Sequence, residues 1–340
     1  MPVKLSYIIP VYNGEKSIPQ TLDSIFAIGL KESDIEIIVI DDCSTDNTRD
    51  VLNDIQKAYS NLVVLHHEQN QRQGAARNRG IEIARGEYIA FCDADDEVVP
   101  EGVLNALQAV EKSHADICYF EFEYERPDGE WQLFGMPQET HDTILAASDY
   151  LNKYYTCYYN APWRCLYRTD FLKNIGIRFV EGVRWEDCDW TVKVYARAKE
   201  IQFVNGIGYR YHWNEQATSQ LTDVQAISEQ LMAGVRLNVF AKEIQFSLQG
   251  LSLTIADEGK YRYIVNNIRL RNVTKYSFSQ IKKIYNLVSV NDWKVISNLH
   301  LPVWERIFVK YHSLSLIVLS LACPIASLGR RVVEYKRNLI

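Results

Sequence analysis

Several common ways of building a site are missing from this 340-residue chain. No Gly-x-Gly-x-x-Gly opens the first helix, and no Gly-x-x-x-x-Gly-Lys-Ser/Thr occurs anywhere, which argues against a dinucleotide fold and against a P-loop. The seven cysteines (43, 92, 118, 157, 165, 188 and 323) are odd in number, contain no Cys-x-x-Cys pair and lie mostly in apolar runs. They read as reduced core residues, not as a disulfide or zinc framework. The N-terminus enters an apolar run at Leu5 without the cleavage region of a signal peptide, so the expected location is cytoplasmic. There is no internal repeat, low-complexity tract or aromatic-rich basic motif, and no nucleic-acid partner is expected.

What is present is a large apolar content, 47%, and a lopsided charge distribution. Such a chain can bury a sizeable core and is expected to form two units. Residues 1–220 carry a net charge of −14 and residues 221–340 a net charge of +8. An acidic front and a basic tail imply different partners for each.

Residues 1–100 alternate strand and helix patterns. Leu5 to Val11, Ile35 to Ile40, Leu62 to Leu65 and Tyr88 to Phe91 are short β-rich apolar runs. Between them lie helical patterns, the first introduced by Ser17-Ile18-Pro19-Gln20, which has the form of a capping box. Strands apolar throughout, alternating with helices, predict an α/β fold with a Rossmann-like, mainly parallel central sheet and helices on both faces. Right-handed crossovers would bring the strand ends to one edge, where open α/β sheets bind ligands. That edge collects Tyr12, Asp41, Asp42, Asp93, Asp95 and Asp96. Asp42 is expected to cap the helix that follows it. Three carboxylates within four residues repel one another, and a divalent cation that also carries phosphates is the simplest compensation. His66-His67 has no matching ligand spacing and is not expected to serve the site.

Four segments resemble, in order and spacing, the GT-A glycosyltransferases of family 2. They are Ile8-Ile9-Pro10-Val11-Tyr12-Asn13, Glu36 to Asp46, Gly74-Ala75-Ala76-Arg77-Asn78-Arg79-Gly80 and Phe91-Cys92-Asp93-Ala94-Asp95-Asp96. The resemblance implies a nucleotide-sugar donor, usually a uridine diphosphate sugar, with Mg²⁺ or Mn²⁺ as cofactor. It implies that Pro10 and Tyr12 line the base pocket and that Asp41 accepts the uracil imide hydrogen bond. Arg77 would face the donor, Asp93 the ribose or sugar, and Asp95 the metal, with Asp96 as its helper. Cys43 departs from the family, which commonly has Gly there, at a turn position.

Residues 101–220 are expected to form the acceptor half. Trp163, Trp185 and Trp190 offer flat apolar faces suited to a sugar ring, and Arg184 and Glu186 could bind its hydroxyls. Trp185-Glu186-Asp187 is similar to the family's Glu-Asp motif at the start of an acceptor-side helix. That likeness makes Asp187 the general base of an inverting transfer. A plainer reading is an acidic first helical turn favoured by the helix dipole, with Trp190 in the core. Tyr209-Arg210-Tyr211-His212-Trp213 resembles the segment after the base, which implies His212 at the diphosphate or metal.

From residue 221 the alternation gives way to helical spacing with interleaved Lys and Arg. The 19 residues between Lys310 and Arg330 contain no Asp, Glu, Lys or Arg. With His312, several serines and Pro324, segment 311–329 is marginal for a span of ~20 residues, and an in-plane helix on an anionic surface is expected. The expected protein is thus a glycosyltransferase at the inner face of the plasma membrane. It would move a sugar from a nucleoside-diphosphate sugar to a glycan or lipid-linked glycan in cell-surface polysaccharide synthesis. The alternatives are a non-catalytic sugar-nucleotide-binding scaffold and a sugar nucleotidyltransferase. An intact Asp-x-Asp pair disfavours the first, and the lack of a Gly-rich basic N-terminal loop disfavours the second.

Overall fold

The computed structural model describes residues 3–154 and 161–214, together with individual helical positions between 225 and 240. The chain divides into two compact units, Met1–Gln220 and Leu221–Ile340. In the second unit, Ala233 and Phe240 are buried helical positions, and Gln225 donates to Glu229 one turn on (3.0 Å). The expectations for the basic tail and for segment 311–329 lie outside the described residues. Among the described residues, no helix is long and apolar enough to cross a membrane.

The first unit opens with β1 (Leu5–Val11), α1 (Ile18–Phe26), β2 (Ile35–Asp41), α2 (Thr48–Gln56), β3 (Leu62–His66), α3 (Arg72–Ile83) and β4 (Tyr88–Phe91). These strands lie in the order β3-β2-β1-β4, all parallel. Every residue of β1, β2 and β4 is buried, as expected of strands covered on both faces. The alternation in the sequence is therefore realised over this half of the sheet.

Beyond β4 the pairing is mixed, although β6 and β10 run in the same direction as the first four strands. There follow β5 (Glu97–Val98), α4 (Pro100–Ser113), β6 (Ile117–Glu125), β7 (Trp131–Phe134), β8 (Ile144–Ala146), α5 (Ala147–Lys153), β9 (Cys165–Arg168), α6 (Thr169–Ile175), α7 (Glu186–Tyr195) and β10 (Glu200–Tyr211). Strand β9 lies between β4 and β6, antiparallel to both, while β10 is parallel to β6 and antiparallel to β5 and β8. Strand β7 returns from β6 through a tight turn in which Arg126 N–H donates to Glu130 O, and a hairpin of that length permits only antiparallel pairing.

The helix α3 lies close on the sheet because its inner face is small. A β-carbon at Gly80 would stand 2.3 Å from Ile8 Cγ2 of β1. The run Gly74-Ala75-Ala76 is buried on the same helix. The capping box expected at α1 does not form. Ser17 makes no side-chain cap bond, and Gln20 reaches across to the Glu97 carboxylate instead.

Candidate active site

Three parallel strands deliver their C-terminal residues to one edge. Tyr12, just past β1, is half-exposed, with 50% of its surface open. Pro10 is buried within β1 opposite Ile40. Asp41 closes β2 and has no exposed side-chain surface. Its Oδ1 accepts from the Ser44 backbone N–H (2.9 Å), and its Oδ2 meets His66 Nδ1 (2.9 Å) with Arg49 further out at 3.5 Å. Burial works against this carboxylate's charge, but the bonds from Ser44 and His66 outweigh it and hold the pKa below the usual value. Cys43 has φ of 65°, the left-handed conformation. A residue with a β-carbon is strained there by roughly 1–2 kcal/mol, so the exchange for Gly is not free.

Asp42 does cap a helix, though not the next one. It accepts from the backbone N–H groups of Gln71 (2.8 Å) and Arg72 (2.6 Å) at the start of α3, and from His67 (2.8 Å). The sequence assigned it to α2 because adjacency in the chain was the only guide.

The second group comes from the exit of β4. Asp95 is exposed, with Asn214 3.3 Å away. The protein mass around it and the Asp93 charge both raise its pKa above the usual value. Asp96 differs from its neighbours in being buried. It accepts from the Tyr209 hydroxyl (2.7 Å) and the His212 backbone N–H (2.9 Å), so it ties β10 to the loop. Burial and the charges of Asp95 and Asp93 raise its pKa strongly.

The third group joins sequence regions a hundred residues apart. Arg77 on α3 is only 2% exposed and donates to Asp93 (2.6 Å) and to Glu186 at the start of α7 (2.5 Å). Gly74, one turn earlier, makes this approach possible. A β-carbon there would stand 2.5 Å from the Val180 carbonyl oxygen and 3.2 Å from Glu186 Cγ. Burial alone would depress the Arg77 pKa, but Asp93 and Glu186 raise it, so it stays charged. Glu186 is buried, and burial raises its pKa even against the Arg77 charge. Asp187, half-buried beside this group, is raised to about 7, first by burial and then by the Glu186 charge, with Arg77 pulling the other way. The residue before it, Trp185, has φ of 62°, a strained conformation for a bulky side chain.

Several sequence expectations change here. Trp163 is 6% exposed and stacks on Tyr209 at 4.2 Å, with Phe122 against its edge, so its faces are occupied by the core and not open to a sugar. Glu186 is buried and engaged by Arg77. Trp185 is partly buried, and its Nε1 has no hydrogen-bond partner among the described residues. Both ring nitrogens of His212 lie 2.9 Å from carboxylates, those of Glu125 and Glu97, so it is tied to β6 and β5. Trp190 is in the core, stacked on Phe179 at 4.0 Å, in accord with the plainer reading of α7. Sequence reasoning passed over His66, whose contact with Asp41 follows from strand register: β3 pairs with β2 so that His66 lies opposite Asp41.

A family model described as glycosyl transferase family 2 matches residues 6–176. An uncharacterized glycosyltransferase, YibD, of Escherichia coli (strain K12) is 32% identical over 228 residues, 64% of each chain. A poly(ribitol-phosphate) beta-glucosyltransferase of Bacillus spizizenii (strain ATCC 23059 / NRRL B-14472 / W23) is 34% identical over 212 residues, which are 62% of this chain and 32% of that one. The chain thus spans just under two thirds of the first relative's length and about a third of the second's. Among solved structures, S. aureus TarS 1–349 in complex with UDP-GlcNAc aligns over 97% of this chain and 92% of its own, with a TM-score of 0.68 and 22% identity. That likeness shows the fold.

Proposed function

From the premise that the chain belongs to glycosyl transferase family 2, we propose that it is an inverting glycosyltransferase that uses a divalent metal and a uridine diphosphate sugar. The observation that carries this reading is the joined group of Arg77, Asp93, Glu186 and Asp187. It places a carboxylate with a pKa of about 7 next to the strand-end acids where a donor would lie.

Asp187 is the general base in this reading. It takes the proton from an acceptor hydroxyl as that oxygen bonds to the anomeric carbon and the bond to the diphosphate oxygen breaks on the opposite side. A group titrating near 7 suits this task, because a large share of it is ionised at neutral pH and it is still basic enough to accept a proton. Arg77 keeps Glu186 and Asp93 in place and moderates the charge felt by Asp187. Tyr12 and the Asp41 corner take the nucleoside, and Asp93 takes the ribose or sugar.

The acids after β4 fit a divalent ion of the Mg²⁺ or Mn²⁺ kind. Such ions need only one or two carboxylates when the substrate's phosphates and water complete the shell. Asp95 is open and suffers from the Asp93 charge, so a cation there relieves repulsion. Among the described residues no group of three or more metal-ligating side chains is assembled. When bound, the ion stabilises charge on the leaving diphosphate.

A relative named for poly(ribitol-phosphate) glucosylation supports an acceptor hydroxyl on a cell-surface polymer. The lipid-linked form of that acceptor, and a position at the inner face of the plasma membrane, rest on the basic, apolar composition of residues 221–340. The test is transfer from a panel of nucleotide sugars with the product's anomeric configuration read by NMR. Inversion from a UDP-sugar is expected. Retention of configuration, or no donor turnover with any nucleotide sugar, overturns the proposal.

A further inference from the structure

The acid loop after β4 is held from behind by a tyrosine. Tyr209 of β10 has no exposed surface. Its hydroxyl accepts from the Asp93 backbone N–H (3.1 Å) and donates to Asp96 Oδ2 (2.7 Å), while Asp96 Oδ1 accepts from the His212 N–H (2.9 Å). Between these holds the chain closes into a turn, in which the Asp96 N–H donates to the Asp93 carbonyl (3.2 Å). Asp95 lies within that turn and is exposed.

The aim of the hydroxyl is set by the strand that carries it. Ile207 of β10 pairs with Glu121 of β6 and Tyr209 with Phe122, so Gly208 is an extra residue on β10. An extra residue in one strand re-aims the side chains that follow it, and bulges of this kind gather beside functional sites. Here it puts Tyr209, in place of Gly208, opposite Phe122. A glycine is needed at the bulge, since a β-carbon there would stand 2.4 Å from the Phe120 ring. Trp163 then fixes the tyrosine ring by stacking on it at 4.2 Å and 6°, and Trp163 is itself set by the edge contact with Phe122 at 4.9 Å.

We propose that Tyr209 is a positioning residue for the cation site, its hydroxyl fixing the turn from Asp93 to Asp96 so that Asp95 stays open to the ion while Asp93 stays against Arg77. This rests on Asp95 meeting Mg²⁺ or Mn²⁺, as proposed above. Asp96 forms the back of the turn, with each oxygen holding a group of the β10 end, and serves the loop instead of the ion. A phenylalanine at 209 would keep the ring and its stack but leave the Asp93 N–H and the buried Asp96 carboxylate each short of a partner. The turn would then have other arrangements open to it, and the carboxylate that meets the ion would no longer be held in one of them. Losing a group that orients a ligand in this way typically lowers metal affinity by ~10–100-fold.

The experiment measures UDP binding to the full chain by calorimetry, over a series of Mn²⁺ concentrations and in EDTA, for the wild type, Tyr209→Phe and Tyr88→Phe. The last removes another buried tyrosine hydroxyl, one that donates to the Val110 carbonyl (3.1 Å), and serves as the measure of general loosening. In Tyr209→Phe the half-saturating Mn²⁺ concentration is expected to rise by ~10-fold or more, with UDP affinity in EDTA unchanged. In Tyr88→Phe it should stay at the wild-type value, although thermal unfolding shows both variants to be less stable. An unchanged half-saturation in folded Tyr209→Phe overturns the assignment. So does an equal rise in Tyr88→Phe, or a loss of UDP affinity in EDTA confined to Tyr209→Phe. Should Tyr209→Phe not fold, Trp163→Phe, which narrows the plate under the tyrosine ring, should raise the half-saturation by a smaller factor, and no rise there overturns the proposal. Wild-type UDP affinity that ignores Mn²⁺ would instead overturn the metal reading on which the inference rests.

Discussion

Arg77 and Glu186 stand 109 residues apart in the sequence and 2.5 Å apart in space. Arg77 also holds Asp93, so a single buried guanidinium links the acid loop after β4 to the first turn of α7. Desolvating an arginine is costly, and two facing carboxylates are what make it tolerable. A brace of this kind fixes the distance between the loop after β4 and the start of α7.

Removing the guanidinium should therefore be costly to the fold. Arg77→Ala leaves two carboxylates without their cation, one of them fully buried, and should lower stability by ~3–5 kcal/mol. Arg77→Lys, which keeps the charge but cannot bridge both partners, should fall between. Thermal or urea unfolding measures this, and an Arg77→Ala protein as stable as the wild type would show that the brace carries no load.

The pH dependence follows from Asp187. In the proposed role of base it must be ionised, so kcat/KM should rise with pH to a plateau above about 7 and lie roughly tenfold below that plateau one unit under this value. Burial and the Glu186 charge raise this value while the Arg77 charge lowers it, so a folded Arg77→Gln, which removes that charge, should shift the acidic limb upward. Asp187→Asn should cut turnover by ~10² or more with donor affinity nearly unchanged. A pH profile flat from 5 to 9 would remove Asp187 from the role of base.

Asp95 is exposed, so its replacement should spare the fold. Asp95→Asn should abolish Mg²⁺- or Mn²⁺-dependent binding of a nucleoside diphosphate while leaving the unfolding midpoint within a degree or two of the wild type. Calorimetry with and without EDTA checks this. Equal affinity in both conditions would place the metal elsewhere or remove it from the reaction.

Gly74 tests the packing of α3. A β-carbon would stand 2.5 Å from the Val180 backbone oxygen, which cannot swing aside as a side chain could. Gly74→Ala gains helix propensity of ~1 kcal/mol but should still destabilise the protein by ~1–3 kcal/mol through overpacking. It should also lower turnover by moving α3 away from Glu186. A stabilised, fully active variant would mean that this contact yields easily.

The sequence by itself determined the parallel half of the sheet and the acids at its edge. Strands such as Ile35–Asp41 are apolar along their whole length, and the period of such runs and their turn residues are local properties of the chain. Family resemblance added Asp187, because a Glu-Asp pair opening a helix is also local. What the tertiary structure alone decided is which side chains face one another. Trp163 looked like an open ring, but it is stacked on Tyr209, a residue distant in the chain. His212 looked ready for a phosphate and is tied between Glu97 and Glu125. The capping of α3 by Asp42 and the screening of Asp41 by His66 depend on the register of β3 against β2. Periodicity tells which residues are buried; it cannot tell against what, since that is set by strand order and helix approach, which arise only when distant segments pack together.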